Sequence, residues 1–86
     1  MNKIFLDDAW EELNYWIQHD RKIAEKIYKL MRSIERDGAM KGEGKPEKLK
    51  HKTDEYSRRI DSANRLIYKI VDDKLFIKSC KGHYED

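Results

Sequence analysis

Cysteine and long apolar runs are nearly absent from the chain. Cys80 is the only cysteine among 86 residues, so no disulfide can form within the chain and a reducing compartment fits best. The first apolar run is too short for a signal peptide, and no segment approaches the roughly 20 apolar residues that a membrane helix needs. These absences predict a cytoplasmic protein that makes no contact with a membrane.

A strong excess of one charge is also missing. The chain carries 19 basic and 17 acidic side chains, for a formal net charge of +2. The two halves differ, however: residues 1–40 hold 7 basic and 8 acidic side chains, whereas residues 41–86 hold 12 and 9. The positive excess therefore lies in the second half, which is the half expected to face a polyanion.

Proline occurs once, at Pro46, and it separates two kinds of pattern. Before it, apolar residues recur every three or four positions, which predicts two consecutive helices. We expect Asp7-Asp8 to cap the first helix, Asp20 to cap the second, and Gly38 to end the second. After it, short runs rich in β-branched and aromatic residues indicate antiparallel strands. We predict one α+β domain over residues 1–86, an N-terminal helical hairpin packed on a small, mainly antiparallel twisted sheet.

The strand predicted over residues 65–71 has two distinct faces. Alternation places Leu66, Tyr68 and Ile70 on one face, which suits the side that the helices cover. Arg65 and Lys69 then lie on the opposite, open face, towards the side where a basic strand supplies Lys48 or Lys50. A bulge of one residue would invert this assignment.

One carboxylate stands among several cations in the segment 44–51. Glu47 has Lys45, Lys48, Lys50 and His51 as near neighbours in the sequence. Such a carboxylate is either a salt-bridge partner of these cations or a catalytic base, and the salt bridge is the more common case.

The second half of the chain offers one residue for each role in RNA cleavage by side chains alone. Such a reaction needs a base for the 2′-hydroxyl, a cation for the phosphorane and an acid for the leaving 5′-oxygen. Glu47, Arg65 and His83 have these chemical types, Arg58 and Arg59 add phosphate contacts, and Tyr84 can stack on a base or orient the phosphate. Each residue also has an ordinary interpretation, as a surface charge, a mobile terminal histidine or a cover for the sheet edge, and spacing does not show that they converge.

Four separate segments resemble the YoeB/Txe toxins in order and spacing. They are Gly44-Lys45-Pro46-Glu47-Lys48-Leu49-Lys50-His51, Tyr56-Ser57-Arg58-Arg59-Ile60, Asn64-Arg65-Leu66-Ile67-Tyr68 and Cys80-Lys81-Gly82-His83-Tyr84. The resemblance covers essentially the whole chain and implies the RelE-like microbial ribonuclease fold. It also implies an mRNA interferase that enters the ribosomal A site and cuts the message there, without a metal or another cofactor.

The resemblance implies a role for each site residue. Glu47 matches the general base, Arg65 the phosphate-stabilising arginine, His83 the general acid and Tyr84 the adjacent aromatic. Lys50 and Arg59 match basic positions around the scissile phosphate, to which we add Lys48 and Arg58 as RNA contacts.

The implied partners are the ribosome with its mRNA and a YefM-like antitoxin, and the first helix, with Trp10 and Tyr15, could serve a homodimer. Two other hypotheses remain open. The first is a non-catalytic RNA- or ribosome-binding module on the same fold. The second is a DNA-binding regulator, which is weaker because the helices lack a basic face.

Overall fold

Two helices lie on one side of a five-stranded sheet. The structure is a computed structural model that describes residues 1–83. In chain order the elements are β1 (Asn2–Phe5), α1 (Asp7–His19), α2 (Arg21–Asp37), β2 (Glu47–Lys48), β3 (Glu55–Arg59), β4 (Arg65–Val71) and β5 (Lys74–Ser79). Neither helix combines the length and the apolar character that crossing a bilayer requires, as far as residues 1–83 are concerned.

The helix ends follow local chemistry, with one departure from the sequence prediction. Asp20 caps α2 as predicted, because its Oδ1 accepts a hydrogen bond from the Ile23 amide at 3.4 Å. Gly38 ends α2 with φ 97°, and its amide donates to the Ile34 carbonyl. The prediction that Asp7-Asp8 caps α1 is wrong. Leu6 is the N-cap and makes no side-chain cap bond, while both aspartates sit in the first turn, where they oppose the positive end of the helix dipole.

The sheet is mixed, in the order β1-β5-β4-β3-β2. The pairs β2–β3, β3–β4 and β4–β5 are antiparallel, as short connections allow, and β1 pairs with β5 in parallel at the far edge. This arrangement confirms the predicted α+β class with a mainly antiparallel sheet.

The core fills the space between the helices and one face of the sheet. Helix α2 buries one apolar side of its surface and α1 buries a smaller set, and both meet the side chains of β4 and β5. Each fully buried Leu or Ile contributes about 1.5–3 kcal/mol through loss of apolar surface from water. The completely or almost completely buried apolar members are Ala9, Ile27, Leu30, Ile34, Leu66, Tyr68, Leu75, Ile77 and Cys80.

Strand β4 keeps the predicted alternation although the sheet contains a bulge. Leu66 and Tyr68 are fully buried in the core, and Ile70 packs against it. The register shift lies in the pairing with β5, where Ile67 faces Ser79 and Tyr68 faces Ile77, so that Lys78 is the extra residue. Because the bulge belongs to β5, the pairing of β4 with β3 stays regular and the faces of β4 are not inverted.

We call the side of the sheet away from the helices the open face. Directly opposed residues of neighbouring strands share a face, and so do residues two apart on one strand. From the strand registers, the open face carries Glu47, Glu55, Ser57, Arg59, Arg65, Ile67, Lys69, Phe76 and Ser79.

Candidate active site

A row of cross-strand partners fixes the position of Glu47 on the open face. Glu47 of β2 is opposite Ser57 of β3, which is opposite Ile67 of β4. The next row on the same face is the pair Arg59–Arg65. Glu47 is therefore diagonal to Arg59 across one strand spacing, and Arg65 lies one strand further, so the sheet brings all three to one region.

The three side chains are presented outwards. Glu47 and Arg59 are exposed and Arg65 is half-buried. Within residues 1–83, none of the three side chains forms a hydrogen bond or an ion pair. The salt bridge that the sequence suggested for Glu47 is thus not found in the described part of the chain, and the carboxylate is accessible to a ligand.

The end of β5 is anchored to α1. The Cys80 amide donates to Glu12 Oε1 at 2.8 Å, and Trp16 Nε1 donates to the Cys80 carbonyl at 2.9 Å. The thiol is fully buried, and its Sγ lies 3.6 Å from the Ala9 carbonyl. Burial, together with the nearby Glu12 carboxylate, raises the pKa of the Cys80 thiol to about 12. Cys80 is therefore a structural thiol that faces away from the open face.

The segment after Cys80 returns to the start of β4. The Arg65 amide donates to the Gly82 carbonyl at 3.0 Å, and the Gly82 amide donates to Asn64 Oδ1 at 2.8 Å. His83 follows directly and is exposed, so its backbone lies beside Arg65. The prediction for Tyr84 lies outside the described residues.

The predicted role of Arg58 as an RNA contact is wrong, because its side chain lies inside the protein. Its side chain is fully buried, with an exposure of 0%. The guanidinium donates to Tyr68 Oη at 2.9 Å and to Ser33 Oγ at 3.0 Å. Three loop carbonyls accept its remaining bonds, at 2.7–2.8 Å, namely those of Gly38, Lys41 and Glu43.

The register of β3 with β4 explains why the Arg58 side chain is buried. Arg58 is opposite Leu66, so it faces the helices, whereas its neighbour Arg59 is opposite Arg65 on the open face. Tyr68 Oη in turn donates to the Ala39 carbonyl at 2.6 Å. Burial raises the pKa of Tyr68 above its ordinary value, and the Arg58 guanidinium offsets part of this rise. Arg58 thus holds the loop that leads from α2 to Glu47.

The two lysines predicted as RNA contacts differ in position. Lys48 is opposite Tyr56, whose ring stacks on Tyr68 on the helix side of the sheet, so Lys48 points away from the open face. The register therefore argues against Lys48 as a partner of the Glu47 site. Lys50 is exposed in the turn after β2 and remains a predicted RNA contact.

Sequence reasoning missed the polar residues that hold the site together. The sequence predicts Arg58 as an RNA contact and assigns no role to Ser33, Asn64 or Glu12. One signal for Arg58 was available: Tyr56, Arg58 and Ile60 alternate, so an arginine that shares a face with two apolar residues is a candidate for burial. For Glu12 the sequence holds no such signal, because its acceptor role depends on where β5 ends.

The architecture defines a class of protein. One strand, two helices and four further strands, joined in a single mixed sheet, are the fold that this chain shares with the RelE-like toxins.

Similar sequences and solved structures narrow this class of protein to one family. Residues 5–84 match the family described as YoeB-like toxin of bacterial type II toxin-antitoxin system. Toxin YoeB of Streptomyces coelicolor is 44% identical over 85 residues, covering 98% of this chain and 100% of the relative. A solved YoeB dimer from Staphylococcus aureus is 46% identical, with a TM-score of 0.94 and 98% of both chains covered. The heterotetrameric YoeB-YefM complex from the same organism is 47% identical, with a TM-score of 0.91 over 98% of each chain. The chain belongs to the YoeB family of toxins.

Proposed function

We propose that this chain is a ribosome-dependent endoribonuclease that cleaves mRNA in the A site. The observation that carries the proposal is the shared location of Glu47, Arg59 and Arg65 on the open face. In addition, Gly82, the residue before His83, is hydrogen-bonded to the backbone of Arg65. Membership in a family of type II toxins supports it, since a toxin acts on a cellular target.

The layout suits in-line attack on a phosphate. Glu47 and Arg65 belong to strands two apart, which is about 10 Å in the sheet and leaves space for a phosphodiester between them. Glu47 takes the proton of the 2′-hydroxyl, the 2′-oxygen forms a bond to phosphorus, and the bond from phosphorus to the 5′-oxygen breaks.

His83 gives its proton to the departing 5′-oxygen. The products are a 2′,3′-cyclic phosphate and a 5′-hydroxyl. Arg65 and Arg59 lie between base and acid, where negative charge accumulates on the phosphorane, and Lys50 adds to the positive potential. Tyr84 is assigned its place next to the phosphate by resemblance alone.

We also propose a YefM-like antitoxin as the neutralising partner, by analogy with the complex from Staphylococcus aureus. Exposed apolar side chains on and just before α1 support a homodimer like the one solved for that relative. Trp10 is 53% exposed, Tyr15 43% and Leu6 40%, so a large part of each apolar side chain lies outside the core.

The test is 5′-end mapping of a message in a translating extract. We expect wild type to produce cuts at A-site codons, and Glu47→Gln and His83→Gln to lower the cleavage rate by about 10²- to 10⁴-fold. Glu25→Gln, which removes an exposed carboxylate from α2, is the matched control and should cut like wild type.

Equal cut patterns in wild type and both site variants would refute the mechanism. Ribosome binding without any cleavage by wild type would favour the alternative, a non-catalytic RNA- or ribosome-binding module that uses the same arginines.

A further inference from the structure

A small polar network connects the turn between β3 and β4 to the C-terminal segment. Asp61 Oδ1 accepts from the amides of Ala63 and Asn64, both at 2.8 Å. The Asn64 side-chain Nδ2 donates to Asp61 at 3.1 and 3.3 Å. On its other side, Asn64 Oδ1 accepts from the Gly82 amide at 2.8 Å. Asn64 is only 9% exposed, whereas Asp61 is exposed, so the network is shielded from water on the side of Asn64.

The chemistry of the two neighbours determines which way the Asn64 amide points. The Gly82 amide can only donate a hydrogen bond, and the Asp61 carboxylate can only accept one. The side chain between them must therefore present one acceptor and one donor in fixed directions. Asparagine meets both requirements, and the orientation of its amide is set by the contacts themselves.

Hydrogen bonds, rather than packing, hold this part of the chain. Lys81, Gly82 and His83 are all exposed, and a Cβ added at Gly82 would meet nothing within 4 Å. Gly82 has φ 94°, a conformation that side-chain-bearing residues rarely adopt. Beyond Cys80, the backbone before His83 forms two hydrogen bonds, to Asn64 and Arg65, and the Lys81 ammonium lies 4.9 Å from the centre of the Tyr15 ring, as far as the described residues show.

We propose that Asn64 is a positioning residue that aims His83 at the leaving 5′-oxygen through its hydrogen bond to Gly82. The inference rests on the proposed function, because it gives Asn64 a role only if His83 is the acid. Asn64 itself touches no reacting atom. Without its bond, the Gly82–His83 backbone keeps one attachment, to Arg65, and can rotate about it.

A substrate with a sulfur leaving group separates positioning from general stability. In a 5′-bridging phosphorothiolate, the bond that breaks joins phosphorus to sulfur. The leaving thiolate has a conjugate acid with a pKa near that of a cysteine thiol, about 8.5, so it departs without receiving a proton. A defect in the acid step therefore disappears on this substrate, whereas a defect in folding, RNA binding or the base step persists.

The experiment uses ribosomes programmed with a message that carries either the natural linkage or a single phosphorothiolate at the A-site codon. On the natural linkage, Asn64→Ala should lower the single-turnover rate by about 10- to 100-fold, since a small misplacement of a catalytic group has that effect. On the phosphorothiolate it should cut within about threefold of wild type, and we expect the same of His83→Ala but not of Glu47→Gln. Asn64→Asp keeps an acceptor oxygen but replaces the donor that lies 3.1 and 3.3 Å from Asp61 with a second carboxylate, so its defect should be no smaller and equally rescued. Ser62→Ala, at an exposed position of the same turn, is the control and should match wild type on both substrates.

The possible outcomes distinguish the acid role of His83 from the positioning role of Asn64. If His83→Ala is rescued by sulfur and both Asn64 variants are not, the positioning role is wrong and the acid assignment stands. If His83→Ala is not rescued, the proposed mechanism itself fails. Hydrogen exchange of the Gly82 amide in the wild-type protein tests the bond to Asn64 even if the variants do not fold. We expect slow exchange, and exchange at the rate of a free amide would overturn the inference.

Discussion

The buried arginine offers the sharpest test of the fold, because the next residue is an exposed arginine on the other face. Replacement of Arg58 by methionine keeps most of the volume and removes every hydrogen-bond donor. Its two fully buried acceptors are Tyr68 Oη and Ser33 Oγ, of which Ser33 Oγ keeps a second donor, the Glu43 amide at 3.0 Å. A hydrogen bond to a charged group contributes about 1.5–3 kcal/mol, and a buried acceptor left without a donor costs a similar amount. The carbonyls of the loop lie nearer the surface, where water can replace the guanidinium.

We therefore expect Arg58→Met to lower the free energy of unfolding by about 3–5 kcal/mol. A domain of 86 residues has a total stability of roughly 4–13 kcal/mol, so the loss is a large part of it. Arg59→Met should change stability by less than about 0.5 kcal/mol, because its exposed side chain has no partner within residues 1–83.

Urea denaturation, followed by circular dichroism and by tryptophan fluorescence, measures both variants. With an m value of about 1–1.5 kcal/mol/M, the midpoint of Arg58→Met should fall by at least about 2 M. If the midpoint falls no further than that of Arg59→Met, the guanidinium does not stabilise the loop and the argument from its hydrogen bonds is wrong.

Three further predictions concern two small residues, Gly44 and Cys80. Gly44→Ala should destabilise the protein by about 1–3 kcal/mol more than Gly38→Ala in thermal unfolding. Both glycines have positive φ, but only the Cβ at Gly44 would lie 2.7 Å from Leu30 Cδ2, and equal losses would contradict this account. At pH 8, Cys80 should resist a thiol reagent until urea unfolds the chain, because its pKa is raised to about 12. The same shift predicts that stability is complete below the ordinary thiol pKa near 9 and falls above it by up to about 1.4 kcal/mol per pH unit. Cys80→Ala should flatten that alkaline decline, and an unchanged slope would count against the shift.

The elements of the fold could be predicted from sequence because each has a strong local signal. The three- and four-residue spacing in α2 and the Asp20 cap define that helix, and alternation defines the two faces of β4. The parallel pairing of β1 with β5 had no such signal, since it joins segments about seventy residues apart. Trp10 shows the limit of periodicity: it shares the helical spacing of Leu13 and Ile17, yet its side chain is 53% exposed.

The candidate site divides in the same way. The chemical types of Glu47, Arg65 and His83 were readable from the sequence, and their assignment as site residues remains a prediction. Their supports were not readable, because the function of a polar side chain depends on partners that only the fold supplies. Arg58 and Arg59 are adjacent and chemically identical, and a single step in register gives one to the interior and the other to the open face.

The extra residue in β5 has a consequence for how this chain tolerates change. Before Lys78 the odd-numbered residues of β5 face the core, as Leu75 and Ile77 do, and after it the even-numbered Cys80 does. The bulge thus inverts the alternation of inward and outward side chains along β5. Exchanging the side chain of Lys78 leaves this alternation unchanged. Inserting one further residue between Ile77 and Cys80 would turn Cys80 outwards and draw Gly82 away from Asn64. Removing Lys78, by contrast, would leave a regular strand in which Cys80 still faces the core, so this segment tolerates loss of its extra residue better than a further insertion.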